Sequence, residues 1–429
     1  MSRRTRRSLL AAVGTSVTTA LAGCSALGPL SDEASVEYDD SAIASLPGDI
    51  PQVPSAVPVP PTDAHLASAR DRIRSLLDGA DVSRVPNEVV RQRLARERES
   101  AREALSPADE GERRTAALAG LTHPRSEAMF VAAGLAAFDE TLTAADVEAR
   151  RERHRRDADS FLAEYPHVGP PGDPVGAFAE HARITDWGRT GARLVEPDSH
   201  REYENAVLHV AELAQGVEWG RAYAADARRL HAHYVSTLDD PRDYGARFAS
   251  VAATLVDDVA AHATAPDWET LTSDIARDVA DTPGETLLED LARSRWSAAE
   301  NAVERHDDGH AVGAVVPAMR ALAADRAFAD ARDAVSDGAY GVPETVDPIA
   351  AERAAAVDGL RTLLDTAPEL LARRLAHYVR NPIRNADERA AEHTGAAAGS
   401  DLHATYAVAN RFATAAPAVV RRVGDLLET

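Results

Sequence analysis

From Thr62 onward, apolar residues return every three or four positions, with Ala, Arg, Glu and Asp between them. The two-residue alternation of a half-buried strand is scarce, and Gly and Pro fall between the periodic runs. This pattern predicts helices over 63–77, 86–105, 107–121, 125–142, 144–165, 175–194, 199–238, 241–263, 267–280, 285–305, 311–335, 346–364, 369–379 and 402–427. The longest carries one stripe through Val207, Val210, Ala214, Val217, Ala224, Ala227, Tyr234 and Leu238. Helix after helix joined by short turns predicts an all-α protein, either a multi-helix bundle or an irregular helical-hairpin array. No fixed-period repeat is visible. The densest break is 166–174, with Pro at 166, 170, 171 and 174, which divides an N-terminal helical domain (62–165) from a C-terminal one (174–429). Residues 25–61 carry Pro47, Pro51, Pro54, Pro58, Pro60 and Pro61, the composition of an extended, semi-rigid tether.

The first 23 residues follow a different pattern. Arg3, Arg4, Arg6 and Arg7 precede an apolar stretch from Leu9 to Gly23, interrupted by Gly14, Thr15, Ser16, Thr18 and Thr19. It is too short to span a bilayer, which takes roughly 20 mostly apolar residues. A basic n-region, an apolar h-region and a small-residue cleavage site make a secretory signal over 1–23. Thr5-Arg6-Arg7-Ser8-Leu9-Leu10 resembles a twin-arginine signal, in which Arg6 and Arg7 route folded cargo. Leu21-Ala22-Gly23-Cys24 resembles the lipobox of exported lipoproteins. The resemblance implies that Cys24, the only cysteine of the chain, is lipidated and ties residues 24–61 to the extracytoplasmic face of the membrane.

Composition changes the picture of habitat. All 47 basic residues are Arg against 69 acidic residues, for a net charge of −22; removing the segment with its four arginines takes this to −26. Such a surface repels itself at low ionic strength, whereas at molar salt the Debye length falls to about 3 Å. Acidic excess without lysine resembles the proteins of extremely halophilic archaea; a high-GC bacterium is the alternative source of the Arg bias. The negative field excludes nucleic acid as a partner, since phosphate binding needs a cationic surface. Without Lys there is no Walker-type loop and no Schiff base, and beyond Cys24 no thiol nucleophile and no disulfide.

Candidate chemistry is sparse. His306-Asp307-Asp308-Gly309-His310 gathers two imidazoles and two carboxylates, ligands for a divalent metal through His306 and His310; the same residues also suit a helix end with Gly309 as its cap. Glu202, Asn205, His209 and Glu212 fall along one line of the long helix. His209-Val210-Ala211-Glu212 resembles the H-x-x-E element of imelysin-like cell-surface proteins, some tied to iron uptake. Those carry a Gly two positions before the His, where this chain has Val207. The resemblance implies a metal role for His209 and Glu212; the other reading is a solvated flank beside the apolar stripe. Trp219 and Tyr223 at i and i+4 suit either an aromatic ledge or a core pair. The Arg-rich run 150–156 is flanked by Asp146, Glu148, Asp157 and Asp159 and reads as a salt-bridged exposed helix. There is no G-x-S-x-G elbow, H-E-x-x-H or G-x-G-x-x-G, and no residue is assigned as catalytic.

The sequence therefore predicts a lipid-anchored, extracytoplasmic helical binding or scaffold protein of a halophile. It engages the membrane through Cys24, requires no cofactor and takes a protein or small-molecule ligand that the residues do not specify. The alternatives are an imelysin-like metal-binding or metal-uptake component, and a cell-surface hydrolase whose carboxylates meet only in the fold.

Overall fold

Local hydrogen bonds start the helices where the periodicity places them. In the computed structural model, Thr62 accepts from His65 N to cap α2 (Asp63–Leu77), and Asn87 accepts from Val90 N to cap α3 (Glu88–Glu103), α1 (Asp40–Ala44) preceding both. After α4 (Arg114–Gly120) and α5 (Thr122–Phe138), Thr143 and Asp146 cap α6 (Ala144–Glu164) reciprocally. Next come α7 (Pro174–Val195) and α8 (Ala206–Ser236), the latter capped by Asn205. The C-terminal half comprises α9 (Gly245–Val259), α10 (Pro283–Asp307), α11 (Ala311–Ser336), α12 (Val346–Leu364), α13 (Glu369–Glu392) and α14 (Ala396–Glu428). The described residues are 38–57, 59–105, 114–195, 205–392 and 396–429, with backbone alone at 396–398. Arg6, Arg7 and Cys24 lie outside them.

The protein is all-α, with two two-residue strands among the described residues. In the N-terminal half α8 packs between α5 and α7, with α2, α3 and α6 around them; in the C-terminal half α10 and α11 form a hairpin and α14 packs on α11, α12 and α13. The expected α8 stripe is buried at Val210, Ala214, Val217, Ala224, Ala227 and Tyr234. Where α7 crosses α8, Gly191 and Gly220 let the backbones touch. A Cβ at Gly220 would sit 2.5 Å from Gly191 O, and one at Gly191 would sit 2.8 Å from Gly220 O.

Four expectations change. The segment at 166–174 makes turns but separates nothing: residues 38–429 form one compact unit. Its strand β1 (Val168–Gly169) pairs antiparallel with β2 (Arg242–Asp243), and Tyr244 OH donates to Pro170 O at 2.7 Å. The prolines turn the chain back onto the body. Second, residues 38–61 do not stand free. Tyr38 is buried and donates to Pro343 O at 2.7 Å, and Arg353, Arg380 and Arg373 donate to Gly48 O, Pro51 O and Ser55 O. At its end Val59 N donates to Glu180 and Val59 O accepts from Arg183. An extended proline-rich segment leaves its carbonyls unpaired, and guanidiniums of the body satisfy them. Third, 267–280 forms turns. Asp267 accepts from Glu269 N and Asp278 from Ala280 N, local bonds that compete with a helix, while Trp268, Leu271, Ile275 and Val279 pack on the α10–α11 core regardless. Fourth, α13 runs past Val379 through Pro382, because Ile383, Ala386 and Ala390 are fully buried on its continuation.

Candidate functional site

A collection of titratable groups beside open space lies where α3, α5, α6, α7 and α8 meet. The first residues of α8 carry His209 and Glu212 into this cavity, of about 470 Å³. α3 contributes Arg93 and Glu97, α5 contributes His123 and Glu127, and Arg151 of α6 and Trp219 of α8 complete the polar wall. Helical spacing explains the pairing: Glu97 stands one turn after Arg93, and Glu127 one turn after His123. Arg93 lies 3.0 Å from Glu97, and His123 Nε2 lies 3.3 Å from Glu127 Oε1, which also accepts from Ser100 at 2.7 Å. The His123 and Trp219 rings stand 5.2 Å apart.

Glu97 is 9% and Glu127 7% exposed. Burial pushes the Glu97 carboxyl up, Arg93 opposes this, and the negative charges of Glu127 and Glu212 add to the rise. Three carboxylates thus line one cavity with Trp219, Glu97 beside Arg93 and Glu127 beside His123. The arrangement suits a positively charged guest, whose charge would relieve the repulsion and whose body would lie against Trp219. A buried carboxyl with a raised pKa, such as Glu97 here, also has the makings of a proton donor.

The structure treats the two sequence candidates differently. His209 and Glu212 line the cavity with residues from other helices that the sequence reading omits: Glu97, His123 and Glu127. The only local signals for these are i,i+4 pairs, which elsewhere in the chain mark exposed salt bridges. His306 and His310 lie instead in the α10–α11 turn. His306 O accepts from Gly309 N at 3.0 Å, Arg305 O accepts from His310 N at 2.8 Å, and Gly309 has φ +80°. That is a helix C-cap followed by a new helix start. Among the described residues no group of three or more His, Cys, Asp or Glu is arranged to hold a metal ion. Trp219 and Tyr223 part company, Trp219 facing His123 and Tyr223 meeting Trp187 at 5.1 Å. Arg151 and Arg155 pair with Glu148 and Glu152 along α6.

Behind the cavity the helices are fixed by buried ion pairs. Arg125 and His65 both bind the fully buried Asp226, His65 Nε2 at 2.8 Å. Burial alone would raise the Asp226 carboxyl, but the hydrogen bonds from His65 and Arg125 outweigh it and hold the carboxyl below its ordinary range. Glu218, 2% exposed, is gripped by Arg72 of α2 at 2.9 and 3.0 Å and by Arg221 at 2.6 and 2.8 Å.

Residues 64–240 match a family model described as Domain of unknown function (DUF8262), and residues 245–425 match one described as Domain of unknown function (DUF8264). The cavity lies wholly within the first match, and the seam between the two follows β2. No curated protein and no solved structure matches the chain.

Proposed function

We propose that this is a lipid-anchored, extracytoplasmic binding protein of a halophile, exported by the twin-arginine route and tethered through Cys24. Its α3–α5–α8 cavity receives a small organic cation. The observation that supports the ligand class is the convergence of Glu97, Glu127 and Glu212 beside Trp219 in one cavity. The anchor rests on the N-terminal motifs, and no helix among the described residues is long and apolar enough to cross a membrane. Titration with tetramethylammonium or spermidine at constant ionic strength, read by tryptophan fluorescence, tests the ligand class. Saturation that disappears in Trp219→Leu and weakens in Glu97→Gln is expected; a response that only follows ionic strength overturns it. Cys24→Ala tests the anchor, with release of the protein from membranes as the expected result and retention equal to wild type the opposing one.

A second reading, a metal-binding component, draws on His209 and Glu212 lining the same cavity as His123, Glu97 and Glu127. It requires these side chains to close on an ion. One transition-metal ion per purified chain, lost in His209→Ala, would replace the cation reading.

A further inference from the structure

A second cavity, of about 370 Å³, lies between α7, α10, α11 and α13, and its character is opposite to that of the whole chain. The protein carries a net charge of −22, yet Arg189, Arg193 and Arg305 line this cavity against two carboxylates, Asp186 and Glu304. Asp186 is already engaged, by Arg305 at 3.1 Å and by Arg374 at 3.8 Å. Arg189 reaches only Asp308, at 3.5 Å, and Arg193 is exposed with no ion pair among the described residues.

Arg305 is set by a feature of the helix opposite it. Pro317 stands inside α11 and has no N–H, so the carbonyl of Gly313 one turn earlier lacks its ladder partner. Arg305 Nη1 donates to that carbonyl at 2.9 Å and to Asp186 at 3.1 Å. Both hydrogen bonds go through one nitrogen. A guanidinium has five N–H donors in a planar fork, so the rest of the Arg305 fork remains available to a guest. Beside it Tyr378, a large aromatic left 37% exposed, is held by Arg320 stacked 4.8 Å from its ring. Asn301 and Thr190 add polar groups to the wall.

We propose that this cavity binds a small organic anion, a carboxylate or phosphate head held by Arg189, Arg193 and Arg305 with its body against Tyr378. Planar guanidiniums match the oxygens of both heads in paired hydrogen bonds. The cavity is larger than an inorganic oxyanion needs and falls in the range of small-molecule pockets. An isolated surplus of positive charge in a strongly acidic protein also selects against the cations that its surface attracts.

Calorimetric titration of the purified full-length chain with succinate and with glycerol 3-phosphate, at constant ionic strength, tests this. One-to-one saturation by at least one of them is expected. It should weaken at least tenfold in Arg193→Ala and in Arg189→Ala and stay unchanged in Trp219→Leu, which alters only the other cavity. Arg193 has no ion pair to lose, so that variant keeps the fold. Heats that never saturate, affinity equal to wild type in both arginine variants, or binding to phosphatidylglycerol vesicles with none to the soluble anions would each overturn the assignment.

Discussion

The two halves of the molecule are built from the same helices and stabilised differently. In the N-terminal half Glu97, Arg125, Glu127, Arg151, Glu180, Arg183, Glu218 and Asp226 are all buried charged side chains; among the described residues from Gly245 onward the corresponding set is Asp387 alone. The C-terminal core is Leu, Ala and Val, with Leu287, Leu288, Leu291, Leu371 and Leu375 fully buried. The N-terminal half adds ion pairs that join helices far apart in sequence, α2 to α5 to α8 through His65, Arg125 and Asp226. Buried pairs contribute little net stability, but a missing partner is costly. Ionic cross-links of this kind fix the helices whose side chains line the cavity, so the half that carries the candidate cation site is also the half most sensitive to changes of charge.

Salt removal should produce the largest effect and strike both halves together, because it acts on the exposed carboxylates. At tens of millimolar salt the repulsion reaches over roughly 10 to 30 Å, and net stability is typically only about 5–15 kcal/mol. Cooperative helical structure should be lost on dialysis and return in molar salt. A melting temperature flat across that range, read by circular dichroism, would show that the acidic excess is tolerated.

The contrast itself is tested next. Asp226→Ala leaves Arg125, 4% exposed, without its carboxylate, and should cost about 3–5 kcal/mol. Asp387→Ala should cost less than half of that, because Asp387 and Arg353 keep about a tenth of their exposure and Arg353 still donates to Gly48 O. Denaturant unfolding in molar salt measures both, and equal costs would erase the difference between the halves.

A pH ramp sharpens the comparison further. Burial pushes His181 down to about 3 from 6.5, while its Nε2 is held 2.8 Å from Val168 O. The unfolded chain therefore takes up this proton before the folded one. Stability is complete above pH 6.5 and falls as pH drops from 6.5 towards 3, by roughly 5 kcal/mol over the window. His181→Phe should flatten this loss, and amide exchange should show α7 opening before the α10–α11 hairpin. The smallest effect is expected for Glu97→Gln. Its charge is already disfavoured by burial, so the change should stay within about 1 kcal/mol while still weakening cation binding.

Helix positions are legible in the sequence because periodicity and caps agree: 63–77 and 346–364 match α2 and α12 at both ends. Periodicity also misleads at 267–280, where four apolar side chains reach the core from turns. The cavity is only half legible. His209 and Glu212 share a helix and fall one turn apart, so spacing reveals them. Glu97, His123 and Glu127 come from two other helices, and no local pattern registers that α3, α5 and α8 converge. The docked run at 38–61 is hidden for a related reason: proline content reports an extended backbone, whereas the arginines that bind it lie some 300 positions later.

That separation has a kinetic consequence. The contacts from Tyr38 to Pro343, Arg353 to Gly48 and Arg380 to Pro51 close loops of 305, 305 and 329 residues. A chain made from its N-terminus has this segment first and its binding surface last, and contacts so distant in sequence form late. Docking of the segment is complete only after α13 exists. Under the twin-arginine routing proposed above, the contacts of Tyr38, Gly48 and Pro51 with the body form only once synthesis has run nearly to the end, so their docking acts as a timestamp for a finished fold.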